Sequence, residues 1–350
     1  MTAEPRRPGS DAPDPSGETQ GRGYSARRAP GGRSWAWRTL QLLLIAAVTW
    51  GVYRTLGPEL RQLSWAQLRD LNPAPVPLVI STAVLFGVYL SHAFLWRRIM
   101  TDLAMPRLAA RETLRVYFIA SLGRYLPGKL WQLAGLAVLA ARAGLSAGGA
   151  AAAAVIGQIA FLTTGLLFLA FLLPRLAGGV PAIAAAVVIG AAGIAIALLL
   201  ATGWGRTVRD WVLDHAPEAT RPRLRSAATL ASRVRHTAAL TWAAGYAATW
   251  IALGVAFSVF VSAFVPDALL ASRYLAGTIA ASYLWGYLMV ITPAGLGVRE
   301  IAMGGLLAQI PGLPVAAVIV VPIASRLWFT AAEILPLALV PVLPRGQPIR

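Results

Sequence analysis

After a polar lead of 34 residues, long apolar stretches alternate with short segments rich in Arg. Apolar runs of about 18 or more residues with few charges mark transmembrane helices. The pattern predicts spans over 39–57, 76–96, 149–173, 179–201, 238–263, 269–291 and 313–342. Two further segments, 113–142 and 293–310, are apolar but interrupted by Gly, Pro and charge. They read as broken or re-entrant, because irregular backbone at membrane depth survives only where it is buried in protein or lines a water-filled cavity. The expected fold class is an all-α polytopic membrane protein, a bundle of about 7–8 transmembrane helices with two broken or re-entrant Pro/Gly segments. The two breaks recur in similar surroundings, as paired interrupted segments do in transporters built from repeats.

Residues 1–34 are rich in Pro, Gly, Ser and charge and are expected to form a disordered cytoplasmic tail. The transmembrane domain then covers 35–342, and 343–350 form a short tail. No small-residue cleavage site follows the first apolar run, so the lead does not read as a signal peptide.

Composition agrees with the pattern. The chain is 57% hydrophobic and only 13% charged, with a mean hydropathy of +0.64, whereas soluble domains carry about 25% charged residues. The net charge of +17 comes from 31 Lys+Arg against 14 Asp+Glu. Most of this excess lies between the apolar runs, so it reads as orientation in the membrane and contact with anionic head groups, with no nucleic-acid partner. The segments 97–115 and 206–235 hold most of the loop Arg residues, while 174–178 has only Arg175 and 264–268 has none. This asymmetry predicts a cell (inner) membrane protein with a cytoplasmic N-terminus and a cytoplasmic Arg-rich loop at 202–236. The three Arg residues in 54–69 run against it. There is no Cys, and His92, His215 and His236 are too scattered to assemble a zinc site. No metal or cofactor is expected.

The stretch GRYLPGKLWQ at 123–132 nearly matches a nucleotide-binding loop, but Leu130 replaces the metal-binding hydroxyl and Pro127 removes a backbone donor. Pro127 and Gly128 instead break a helix that resumes near Lys129, the only lysine in the chain. The free N–H groups and positive dipole end of the new half-helix then lie beside Arg124 and Lys129, an arrangement suited to phosphate. Tyr125 and Gln132 flank it. The alternative is that Arg124 and Lys129 snorkel to the head groups, with Trp131 in the interfacial aromatic belt.

The stretch TPAGLGVREIAMGG at 292–305 repeats the device: Pro293, Gly295 and Gly297 break a helix, and Arg299 and Glu300 open the next. Glu300 is favoured near a helix N-terminus and could pair with Arg124 or Lys129, exchange a proton, or simply pair with Arg299. In the last apolar run Arg326 and Glu333 stand seven apart, hence on one helix face. Charges inside a membrane segment face the interior and find partners. Gln158 is a milder polar candidate, suited to a hydrogen bond between helices. GLSAG at 144–148 has the spacing of a nucleophile elbow but lacks the strand, the His and the acid of one.

SLGRYLPGKLWQLAG and TPAGLGVRE, in this order, resemble the lysylphosphatidylglycerol synthase transmembrane-region family, also described as flippase-like integral membrane proteins. The likeness extends over roughly 36–342 and implies a helical bundle with re-entrant segments that handles lipids or lipid-linked sugars. It also implies a role for an Arg in the last membrane segment, here Arg326. Gln158 stands where an acidic residue is frequent in the family. About eight residues follow the last apolar run, so a protein without the soluble synthase domain is expected. Three functions follow as expectations. The first is a non-enzymatic protein that binds and moves a phosphate-bearing lipid or lipid-linked sugar, passively or on an ion gradient. The second is a non-transporting membrane partner of a glycosyltransferase or lipid-modifying enzyme. The third is a membrane-embedded enzyme acting on a lipid phosphate.

Overall fold

A computed structural model describes residues 71–125, 130–172, 236–288 and 297–339. Among these residues are eight α-helices and no strand. They run α1 Pro75–Asp102, α2 Ala110–Ser121, α3 Leu130–Arg142, α4 Ala147–Phe168, α5 His236–Ser262, α6 Ser272–Leu288, α7 Val298–Leu307 and α8 Val315–Leu339. Short 3-10 turns at Leu122–Tyr125, Leu169–Leu172 and Pro266–Ala271 extend or join them. By length and composition α1, α4, α5 and α8 can each cross a membrane. The spans expected at 39–57 and 179–201, the loop at 202–236 and both tails lie outside the described residues.

The helices fall into two series of the same order, long–short–short–long. At 12 and 13 residues, α2 and α3 reach only about 18–20 Å, well short of a hydrocarbon core about 30 Å thick. They pack against each other as a hairpin. Its two ends lie on one side of the protein. The end of α1 meets the start of α4 there, where the Trp96 indole donates to the Ala150 carbonyl at 3.2 Å. The first hairpin therefore enters and leaves on the same face, as a re-entrant segment does.

The second hairpin is built alike. Helix α6, 17 residues long, pairs with α7 of 10 residues. Near the base of this hairpin the Tyr274 hydroxyl donates to the Leu306 carbonyl at 3.2 Å. The segment 269–291, which reads as a span, is thus mostly the first leg of this hairpin. The Pro/Gly stretch at 293–297 falls between the legs.

The two series run in opposite directions. Helix α1 lies antiparallel along α5. Trp242 Nε1 donates to Asp102 at 2.8 Å, His92 bonds Thr249 at 3.2 Å, and the Ala74 N–H donates to the Ala263 carbonyl at 2.8 Å. The remaining contacts exchange with the halves: α4 packs on α5 and α6, while α8 packs on α1 and α2. This is the inverted-repeat construction, in which the two hairpins approach from opposite faces.

Aromatic rings lock the crossings. Phe161 and Trp250 stack at 4.4 Å with planes 7° apart, and the Trp250 indole donates to the Phe161 carbonyl at 2.8 Å. Phe260 and Trp328 stack at 4.6 Å between α5 and α8. Polar groups within the helices are mostly satisfied locally. Thr82, Thr164, Ser258 and Thr278 each donate to a carbonyl four residues earlier, so these hydroxyls present no unmet donor to the interior.

Candidate functional site

A cavity of about 400 Å³ lies where the two hairpins meet the four long helices, within the roughly 300–1,000 Å³ typical of ligand pockets. The first hairpin contributes Tyr117 and Gln132, the second Tyr283, Gly286, Tyr287 and Arg299. Tyr89, His92 and Trp96 line it from α1, Gln158 and Phe161 from α4, and Tyr246 from α5. Helix α8 adds Arg326, Phe329, Thr330 and Glu333. Aromatic rings with a few converging polar groups form the wall.

Arg299 is the centre of this site. It is 8% exposed, the second residue of α7, and its guanidinium lies over the Phe329 ring at 4.1 Å. Its Nε and Nη2 are buried with no hydrogen-bond partner among the described residues. A buried cationic donor left unmatched is costly. It stands at the N-terminal end of a half-helix, where backbone N–H groups also favour negative charge.

Its neighbour is fully engaged. The Glu300 carboxylate accepts from the Gly297 N–H at 2.9 Å. It also takes a two-point contact from Arg326, Nε to Oε1 and Nη2 to Oε2, the latter at 3.0 Å. Gly297 has φ of +85°, which strains any residue with a Cβ, so a glycine here lets the chain turn into α7. Glu300 thus caps its own half-helix and neutralises the charge of the last helix. Sequence reasoning offered Arg124, Lys129 or Arg299 as its partner; among the described residues Arg326, seven positions before Glu333, pairs with it, and the side chains of Arg124 and Lys129 lie outside the described residues.

Glu333 is 2% exposed and shares the cavity wall with Arg326, as their common helix face predicts. Gln158 also faces the cavity. Its amide nitrogen has no hydrogen-bond partner among the described residues, so it makes no bond between helices there. Gln132 lines the wall, its amide 3.5 Å from the Ser121 hydroxyl. Arg124 and Tyr125 end the 3-10 turn that precedes the first break, and Trp131 is exposed just after it. Pro127, Gly128, Lys129, Pro293 and Gly295 lie outside the described residues. Among the described residues no group of three or more His, Asp or Glu could hold a metal ion.

Sequence reasoning missed His92 and the five tyrosines. A signal existed. Tyr89, Tyr246 and Tyr283 lie well inside their helices, away from the ends where an interfacial belt would place them. An ionisable residue such as His92 inside a span is by default functional.

No curated protein and no solved structure is significantly similar to this chain. The family model described as the lysylphosphatidylglycerol synthase TM region matches residues 32–332. That match takes in both hairpins and almost every residue of the cavity wall, and the chain belongs to this family of multi-pass membrane proteins.

Proposed function

We propose that the protein binds the phosphate of a membrane lipid or lipid-linked sugar at Arg299 and carries that head group through the bundle between leaflets. The supporting observation is the buried Arg299 guanidinium, with two donor atoms unmatched among the described residues, in the wall of an aromatic cavity inside a membrane protein. An anionic phosphate accepts both donors and offsets the burial of the charge. By their place in the sequence at the first Pro/Gly break, Arg124 and Lys129 are assigned to the same phosphate. Glu300 and Arg326 set the charge balance behind it, and Gln132 and Gln158 bond the polar rim of the head group.

The reading needs no covalent step and no nucleotide, and movement follows a lipid or ion gradient. The end of α1 at Asp102, beside Arg97, Arg98, Arg107, Arg111 and Arg115, is assigned to the cytoplasm of a cell membrane protein, together with the N-terminus.

Mass spectrometry of lipids retained by gently purified protein tests the proposal. Wild type should retain one phosphate-bearing lipid selectively, and Arg299→Gln should lose it by roughly thirtyfold, the equivalent of ~2 kcal/mol for a charge-assisted hydrogen bond. Unselective lipid, identical in both proteins, would overturn it. A non-transporting partner of a glycosyltransferase or lipid-modifying enzyme would then be the better reading.

A further inference from the structure

Besides Arg299 the cavity holds a second unmet donor. The Gln158 amide nitrogen is buried in its wall with no hydrogen-bond partner among the described residues. A buried donor left unpaired is costly, so the amide calls for an acceptor that the wall does not supply. One residue earlier, Gly157 lets the Tyr246 hydroxyl come against the main chain of α4, for a Cβ at 157 would collide with that oxygen. An amide from α4 and a phenol from α5 thus enter the cavity wall at neighbouring positions.

A chain of contacts leads from the cation to this amide. Gly286 packs on the stem of Arg299, where a Cβ would stand 3.2 Å from Arg299 Cβ. One turn before Gly286 on α6, Tyr283 meets Phe161 edge to face at 5.2 Å. Phe161 lies three residues after Gln158 on α4, hence close to its helix face. The two unmet donors therefore border one chamber, with an aromatic pair along the wall that joins them. A phosphate that occupies Arg299 leaves Gln158 to the group esterified to it.

The chemistry of the wall selects that group. An amide nitrogen only donates, so its partner must accept, and an ammonium, which only donates, would leave it unmatched. A hydroxyl accepts, and it can donate in turn to the Tyr246 oxygen or to Gln132. Tyr117, Tyr283 and Tyr287 line the cavity half-buried. The negative faces of such rings attract C–H groups. We infer that the phosphate at Arg299 carries a hydroxylated ring, a sugar or a cyclitol, whose hydroxyls bond Gln158 and Tyr246. The inference rests on the proposed phosphate site and names what that phosphate bears. Gln158 then sets specificity by rejecting head groups that cannot accept its donor.

Binding of water-soluble phosphodiesters to the full-length protein in detergent tests this. Two probes carry a hydroxylated ring, dihexanoyl phosphatidylinositol and octyl mannosyl phosphate. Dihexanoyl phosphatidylcholine carries an ammonium, and dihexanoyl phosphatidylmethanol carries neither. Wild type should bind at least one ring probe about tenfold more tightly than phosphatidylmethanol, the worth of a hydrogen bond to a buried donor. The tighter of the two names the source, a cyclitol on a glycerolipid or a sugar on a phosphate. In Gln158→Leu the preference should shrink to under about threefold. Tyr246→Phe, which removes only the hydroxyl, should lower it by about threefold.

Equal binding of all four probes by wild type would overturn the inference, whatever the variants do. Phosphatidylcholine bound as tightly as the ring probes would overturn it too, and would make the tyrosines an ammonium cage. A ring preference that survives both Gln158→Leu and Tyr246→Phe would remove these residues from the site and sink the assignment. The phosphate reading fails separately, if phosphatidylmethanol binds Arg299→Gln as well as wild type.

Discussion

The two hairpins are built alike but present different chemistry to the cavity. In the first, the helices close so tightly that a Cβ at Gly123 would stand 2.8 Å from the Trp131 carbonyl carbon. Its described contribution to the cavity is uncharged, a phenol and an amide from Tyr117 and Gln132 beside Leu133 and Leu136. In the second, Gly286 leaves room for a side chain instead: a Cβ there would stand 3.2 Å from Arg299 Cβ. That space holds the aliphatic stem of the buried Arg299, and Glu300 beside it reaches across to Arg326. A repeated backbone device therefore does not fix the chemistry at its tip. What differs is whether the glycine admits main chain or a charged side chain.

The largest expected effect breaks the charged hairpin. Glu300→Gln leaves the Arg326 guanidinium without its carboxylate in a largely buried setting and should destabilise the protein by about 3 kcal/mol. The double variant Glu300→Gln with Arg326→Met should recover more than half of that loss. Thermal unfolding in detergent reads both, and a double variant no better than the single one would remove the pair from the account.

The glycines sharpen the contrast. Gly123→Ala meets backbone that cannot yield and should cost about 2 kcal/mol. Gly286→Ala meets Arg299 Cβ at 3.2 Å, a milder overlap that α6 and α7 relieve by separating a few tenths of an ångström, and should cost about 1 kcal/mol while weakening lipid retention. Equal costs would mean that the two hairpins close in the same way.

Smaller still is Gln158→Leu. Removing a buried amide nitrogen without a partner should change stability by no more than about 1 kcal/mol, in the stabilising direction. Lipid retention should nevertheless fall, and a variant that retains lipid like wild type would take Gln158 out of the site. Last comes His92→Gln, expected to cost about 0.5–1 kcal/mol through the Thr249 bond, read in the same unfolding assay.

Much of this was legible in the sequence because charge and helix breakers are conspicuous in apolar runs. Arg299, Glu300, Arg326 and Glu333 stood out by the cost of placing them in a membrane, and Gly297 by its position before a charged half-helix. The spans over 76–96, 149–173, 238–263 and 313–342 correspond to α1, α4, α5 and α8. The second hairpin was less plain. Residues 272–288 are apolar enough to resemble a crossing, and only their pairing with α7 shows the turn back. The antiparallel seating of α1 on α5 leaves no trace in local pattern, since it rests on pairs such as Trp242–Asp102, 140 residues apart. The cavity tyrosines were hidden for a related reason. A tyrosine inside a span can face lipid, core or cavity, and only the neighbouring helices decide which.

The exchange of packing between the halves, with α8 lying on α1 and α2, bears on how the molecule is made. Synthesis proceeds from the N-terminus, so Arg299 and Glu300 reach the membrane before Arg326 and Phe329 exist. Until α8 arrives, the second hairpin carries a cation without its aromatic cover and a carboxylate without its counter-ion. Such a segment is expensive at bilayer depth. The second hairpin therefore settles only once the last helix is threaded, and the cavity is the final part of the protein to be born.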